Sequence, residues 1–128
     1  MKFMPGSRHF LISSSAIALT ALLGGSSGNA AQTNFISALD ISQIQQGWGT
    51  PHANLSVEGH PLSIGGRKFT NGLGTHADSE FDLDVGGRAA RFSAWVGVDD
   101  EVGQGRGGVV FKVIGDGGKV LWESKELQ

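Results

Sequence analysis

The 128-residue sequence predicts an all-β fold, an antiparallel β-sandwich of jelly-roll type. Three observations carry this reading. From Ala31 onward, short segments alternate apolar and polar residues with a period of two, which is the side-chain period of a strand. No window of about a dozen residues holds the i, i+3, i+4 stripe of an amphipathic helix. Gly, Asp and Asn punctuate the segments, and 21 glycines supply the turns that many short strands require.

In chain order, residues 1–30 stand apart as an export signal. Lys2 and Arg8 form a basic start, and Phe10 to Leu23 are apolar or small. That stretch is too short to cross a bilayer as a helix of about 20 residues, and Ser13, Ser14 and Ser15 interrupt it, so a signal peptide is favoured over a membrane anchor. Gly28 and Ala30 fit the small positions before a cleavage site. The expected product is a secreted or periplasmic domain over residues 31–128.

Pro61 to Ile64, Gly65-Gly66 and Arg67 to Phe69 form a hairpin pattern, because two glycines supply the positive φ angles of a primed turn. Phe81, Leu83 and Val85 alternate with Glu80, Asp82 and Asp84, which predicts a half-buried strand with an acidic outer face. Phe92, Ala94, Val96 and Val98 share one face of a further strand, with Ser93, Trp95 and Gly97 on the other. Val109, Phe111 and Val113 predict a strand that turns at Gly115 to Gly118 and returns through Val120, Leu121 and Trp122. There is no internal repeat of 20–50 residues.

Composition narrows the function classes. Cysteine is absent, so neither a disulfide framework nor thiol chemistry is available. The net charge is −2, and −4 once Lys2 and Arg8 are removed, which gives no electrostatic footprint for nucleic acid or anionic membrane and suits a neutral ligand such as sugar.

Catalytic patterns fail on context. Gly24, Ser26 and Gly28 match G-x-S-x-G, but they lie in the signal segment without the strand and helix that expose such a serine. Gly103, Gly105 and Gly108 match G-x-G-x-x-G, yet Val109-Val110 follow instead of a helix start, so a flexible loop is the better reading. Asp82, Asp84, Asp99 and Asp100 offer carboxylates, but about 98 residues are too few to build a hydrolytic cleft around them easily. His52, His60 and His76 lack a recognisable zinc spacing.

Five motifs in order are specific. They are Gln46-Gly47-Trp48-Gly49, the Pro61 to Phe69 hairpin, Asn71-Gly72-Leu73-Gly74-Thr75-His76-Ala77, Arg91 to Glu101 with its V-G-x-D-D-E ending, and Val110 to Gly117 followed by Leu121 to Ser124. Together they resemble the NPCBM family, carbohydrate-binding modules attached to bacterial glycoside hydrolases. The resemblance implies a non-catalytic sugar-binding β-sandwich, with galactose-type terminal sugars as ligands and an attached hydrolase as the partner to be held near its glycan. Family members continue into further strands, so the resemblance also implies a module incomplete at its C-terminus.

A sugar site needs an aromatic face for the apolar side of a pyranose and planar polar groups for its hydroxyls. Trp48, in a turn-rich G-W-G context, is the first candidate platform; Trp95 and Trp122 are the others. His76 and Arg91 are the candidate polar contacts. Asp99 and Asp100, with Glu101 beside them, are candidate oxygen ligands for a structural calcium ion, and no other cofactor is expected. The alternative function is a structural or protein-interaction β-domain without sugar binding, with a small hydrolase ranked last.

Overall fold

The structure, a computed structural model, describes residues 10–12, 33–86, 91–103, 105–106 and 108–128. Its described strands are all antiparallel. In chain order they are β1 (Phe10–Ile12), β2 (Gln45–Gln46), β3 (His52–Ala53), β4 (Ser63–Ile64), β5 (Arg67–Lys68), β6 (Leu73–Gly74), β7 (Ser79–Glu80), β8 (Phe111–Ile114) and β9 (Val120–Glu123). They form one five-stranded sheet in the order β2-β7-β1-β8-β9 and two strand pairs, β3-β6 and β4-β5. Four 3-10 turns complete the regular structure among the described residues, and the fold is all-β as the alternation predicts. These ladders do not by themselves close a sandwich.

The glycine-rich turns behave as local chemistry requires. Gly65 and Gly66 have φ of 58° and 79°, the pair of positive angles of a primed hairpin turn, and Ser63 faces Lys68 in the ladder they close. After β8, Gly115 N donates to Lys119 O, the chain turns through Asp116–Gly118, and β9 returns with a bulge opposite Val113 and Ile114. Lys112 and Glu123 then meet across the strands at 2.9 Å.

Among the described residues, the ladder of the 80–85 segment runs through Glu80, and residues 92–98 show no ladder. Their side-chain pattern nevertheless holds: Phe81, Leu83, Val85, Phe92, Val96 and Val98 all meet the core, whereas Ala94 is exposed. Alternation records which face is buried; a ladder also requires a neighbouring backbone in register, which periodicity does not encode.

The core gathers Ile36, Ile44, Leu73, Phe81, Val109 and Phe111 from elements far apart in sequence. A satellite forms where Leu62, wholly buried, packs with Ile64 and Phe69 of the hairpin. At about 25 cal/mol per Å2, burying one such side chain contributes roughly 1.5–3 kcal/mol.

β1 lies inside the segment read as a signal peptide; the rest of residues 1–30 falls outside the described residues. In the structure Leu11 is in register with both Glu80 of β7 and Lys112 of β8, so β1 takes the middle position of the large sheet. At the far edge, β9 exposes Val120, Leu121 and Trp122 to similar degrees.

Candidate functional site

The Asn71 to Ala77 motif builds one wall of a cleft. Asn54 and Gly72 tie its start to β3, with Asn54 N donating to Gly72 O and Gly72 N to the Asn54 side chain. Leu73 is buried in the core, so β6 cannot slide outward. Gly74 then passes so close to the next segment that a Cβ there would lie 2.2 Å from Leu55 O and 2.6 Å from Ser56 Cα, which is why only glycine fits. Thr75, also buried, shares a hydrogen bond of 2.8 Å with the Ser79 hydroxyl. This packing delivers His76 to the surface at a defined place.

Trp48 arrives beside it. Its ring centroid lies 5.3 Å from that of His76 at an interplanar angle of 59°, and Trp48 remains 58 % exposed. Gln46 fixes the pair: its side-chain nitrogen donates to Trp48 O at 2.6 Å, and its oxygen accepts from His76 N at 3.3 Å. Gly47 N donates to Asp78 O, closing the same contact from the backbone. The His76 ring faces a carbonyl, Ala77 O, at 2.6 Å through Nδ1. Nδ1 therefore donates, and in the neutral ring Nε2 is left as an acceptor.

The opposite wall comes from Val57 and Glu58 and from Glu101, Val102 and Arg106. Ser56, wholly buried, is its hub: its hydroxyl donates to Glu101 Oε2 at 2.6 Å, accepts from His60 N, and its carbonyl accepts from His52 Nδ1 and Gly59 N. His60 Nδ1 also donates to Glu101 Oε2 at 2.9 Å. The resulting cleft, about 600 Å3, is lined by Trp48 and His76, the polar groups Glu58, Glu101 and Arg106, and the apolar Val57 and Val102. It has the size and mixture of a small-molecule site.

Asp99 and Asp100 meet the β4-β5 hairpin. Asp99 accepts from Ser63 N and Glu101 N; Asp100 accepts from the Ser63 hydroxyl and from Gly65 N and Gly66 N at 2.8 Å each. They clamp the β4-β5 hairpin onto the 99–102 turn. Burial pushes the Asp99 carboxyl up from the ordinary range, against its hydrogen bonds, whereas the hydrogen bonds of Ser63 and Gly66 hold Asp100 below it.

Of the four residues proposed from sequence as sugar contacts, Trp48 and His76 therefore come together. Arg91 is exposed and Trp95 is 57 % exposed, and neither is among the described residues lining the cleft. Trp95 lies instead under Arg67, whose guanidinium carbon is 4.4 Å from its ring centroid, with Phe69 beside it. Sequence reasoning did not single out Gln46, Ser56, Glu58, Glu101 or Arg106 as sugar contacts or their supports. The V-G-x-D-D-E ending was the available signal for Glu101; for Ser56 no local pattern exists.

The family model of the NPCBM/NEW2 domain matches residues 32–128. Among curated proteins, the chain is similar to alpha-1,3-galactosidase B of Akkermansia muciniphila, at 35 % identity over 91 residues, which is 70 % of this chain and 11 % of that protein. It is also similar to a protein named as an endo-alpha-N-acetylgalactosaminidase in Renibacterium salmoninarum, at 40 % identity over 83 residues, 60 % of this chain and 5 % of that protein. The chain thus spans about a tenth or less of the length of these relatives. No solved structure matches. With the family model covering most of the sequence, and its motifs placed as described, this chain belongs to the NPCBM/NEW2 domain family.

Proposed function

We propose that the cleft binds a terminal sugar of galactose type and that the domain holds an attached glycoside hydrolase near its glycan. The observation that carries this is the exposed Trp48 ring set against His76 at 5.3 Å, facing the carboxylates and guanidinium of Glu58, Glu101 and Arg106 across one cleft. An indole face covers the C–H patch of a pyranose, and the imidazole, carboxylate and guanidinium groups supply acceptors and donors for its hydroxyls. The galactose type is supported by the names of the two relatives, which act on galactose- and N-acetylgalactosamine-containing substrates by those names. The family is a binding module and non-catalytic in itself, so enzymatic turnover is assigned to other parts of such proteins.

A glycan array tests the reading: retention on terminal galactose or N-acetylgalactosamine, competed by the free sugar, is expected. Binding to no glycan, or equal binding to all, would overturn it.

Export is proposed with it, from Lys2, Arg8, the apolar run and Gly28/Ala30. In a chain cleaved after Ala30, the position held by β1 between β7 and β8 would be open to another strand. N-terminal sequencing of the exported product is expected to begin at Ala31.

A further inference from the structure

We infer that Glu58, His60 and Glu101 form a binding site for one zinc-type divalent cation at the rim of the cleft. One carboxylate oxygen of each glutamate and one imidazole nitrogen lie within 4.8 Å of one another. A tetrahedral ion with bonds of about 2.0–2.2 Å holds its ligand atoms roughly 3.4 Å apart, so closing the set needs only small side-chain movements. Glu58 and His60 can make them, because both are exposed and flank Gly59, the φ +85° residue of a tight turn bonded Gly59 N to Ser56 O.

The third ligand is held in place beforehand. The Ser56 hydroxyl donates to Glu101 Oε2, the relation of an outer partner that orients a ligating carboxylate. His60 already points Nδ1 at the same oxygen from 2.9 Å. A cation would take the position of the hydrogen between them, and the neutral ring would then carry its hydrogen on Nε2.

Ligand chemistry selects the ion. Two carboxylates give a charge of −2, which matches a divalent ion, and the imidazole favours zinc over calcium, which takes oxygen ligands in larger number. Three protein ligands leave a fourth position for water. This set is separate from Asp99 and Asp100, whose oxygens serve the hairpin.

The test uses the full chain, stripped with a chelator, and zinc ion alone, so its outcome is independent of whether sugar binds. Titration calorimetry is expected to show one zinc ion per chain, and thermal unfolding a zinc-dependent rise in Tm, with calcium giving neither. Glu58→Gln keeps the shape of the side chain and is expected to weaken zinc by roughly tenfold or more; His60→Ala is expected to abolish the binding. Absence of zinc binding overturns the inference. So does undiminished zinc binding by Glu58→Gln, which places the ion elsewhere and decides the matter even if His60→Ala does not fold. Calcium bound as tightly as zinc through these residues overturns the choice of ion.

Discussion

Trp48 and Trp95 are almost equally exposed, at 58 % and 57 %, yet they sit in different surroundings. Trp48 stands at a concave wall with His76, opposite carboxylates and Arg106. Trp95 lies on a surface whose aromatic neighbour is Phe69 and whose ring is covered by Arg67. The cavity near that side, lined by Ile64, Val96, Val98 and several glycines, is somewhat larger at about 780 Å3 but contains no aromatic side chain among its described lining. Exposure alone therefore does not tell the two rings apart. What distinguishes the two is the polar company each ring keeps and whether its face is already occupied.

The comparison breaks most completely if the support under His76 is removed. Gly74→Ala forces a methyl group to within 2.2 Å of a backbone carbonyl in a buried strand pair, where no flexible side chain can give way. The expected cost is about 3 kcal/mol, the upper end for overpacking, read as a lowered denaturation midpoint. The cleft goes with it, and the Trp95 patch is lost only if unfolding is global. A variant of unchanged stability would mean that β6 and the 55–56 segment can separate without cost.

Trp48→Ala sharpens the comparison directly. Sugar binding is expected to weaken by about 1–3 kcal/mol, because an exposed platform contributes to the complex more than to the fold. Stability is expected to change by about 0.5 kcal/mol or less, as for other surface substitutions. Loss of the folded circular-dichroism spectrum would instead show Trp48 closing the core.

The Trp95 side rests on the hairpin clamp, which responds to acid. Asp100 is held below its ordinary value of 3.8 by Ser63 and the glycine amides, so its contribution is present above 3.8 and is lost as pH falls through the lower folded value. Asp99 runs the other way: its raised folded value costs stability as pH climbs through and above 3.8. Asp100→Asn is expected to destabilise by about 1 kcal/mol near neutral pH, a small figure because the group is solvent-screened. It should also flatten the acid limb of the stability curve below 3.8. An acid limb identical to the parent would remove Asp100 from the clamp.

These same residues show what was legible in advance. The Pro61 to Phe69 hairpin was legible because a Gly-Gly turn is specified by its own two φ angles. Trp48 and His76 were legible because short motifs with small neighbours present them at turns. Over residues 92–98 the buried side was legible in the alternation, whereas the neighbouring backbone was not, since alternation reports burial alone. Ser56 was not legible, since its meaning comes from Glu101, 45 residues away, and His60 became a candidate ligand only when the turn at Gly59 set it beside Glu58. The amide partners of Asp99 and Asp100 were not legible, because a carboxylate cluster can serve cations or backbone amides and the hairpin that packs above it is set by distant residues.

The smallest expected effect tests the Trp95 patch itself. A guanidinium over an exposed indole contributes about 0.5–1 kcal/mol, so Arg67→Ala and Trp95→Ala should each lower stability by about that amount. The double variant should lose less than the sum of the two, because either change already removes the shared contact. Neither should alter sugar affinity, since neither side chain is among the described residues lining the Trp48 cleft. Arg67→Ala is the more informative of the two: it uncovers the Trp95 face while leaving the ring in place beside Phe69. If new or tighter glycan binding then emerged, and Trp95→Ala abolished it, the patch would be a second platform masked by arginine. Unchanged binding, measured on the same array as Trp48→Ala, would leave the cleft at Trp48 and His76 as the place where sugar is held.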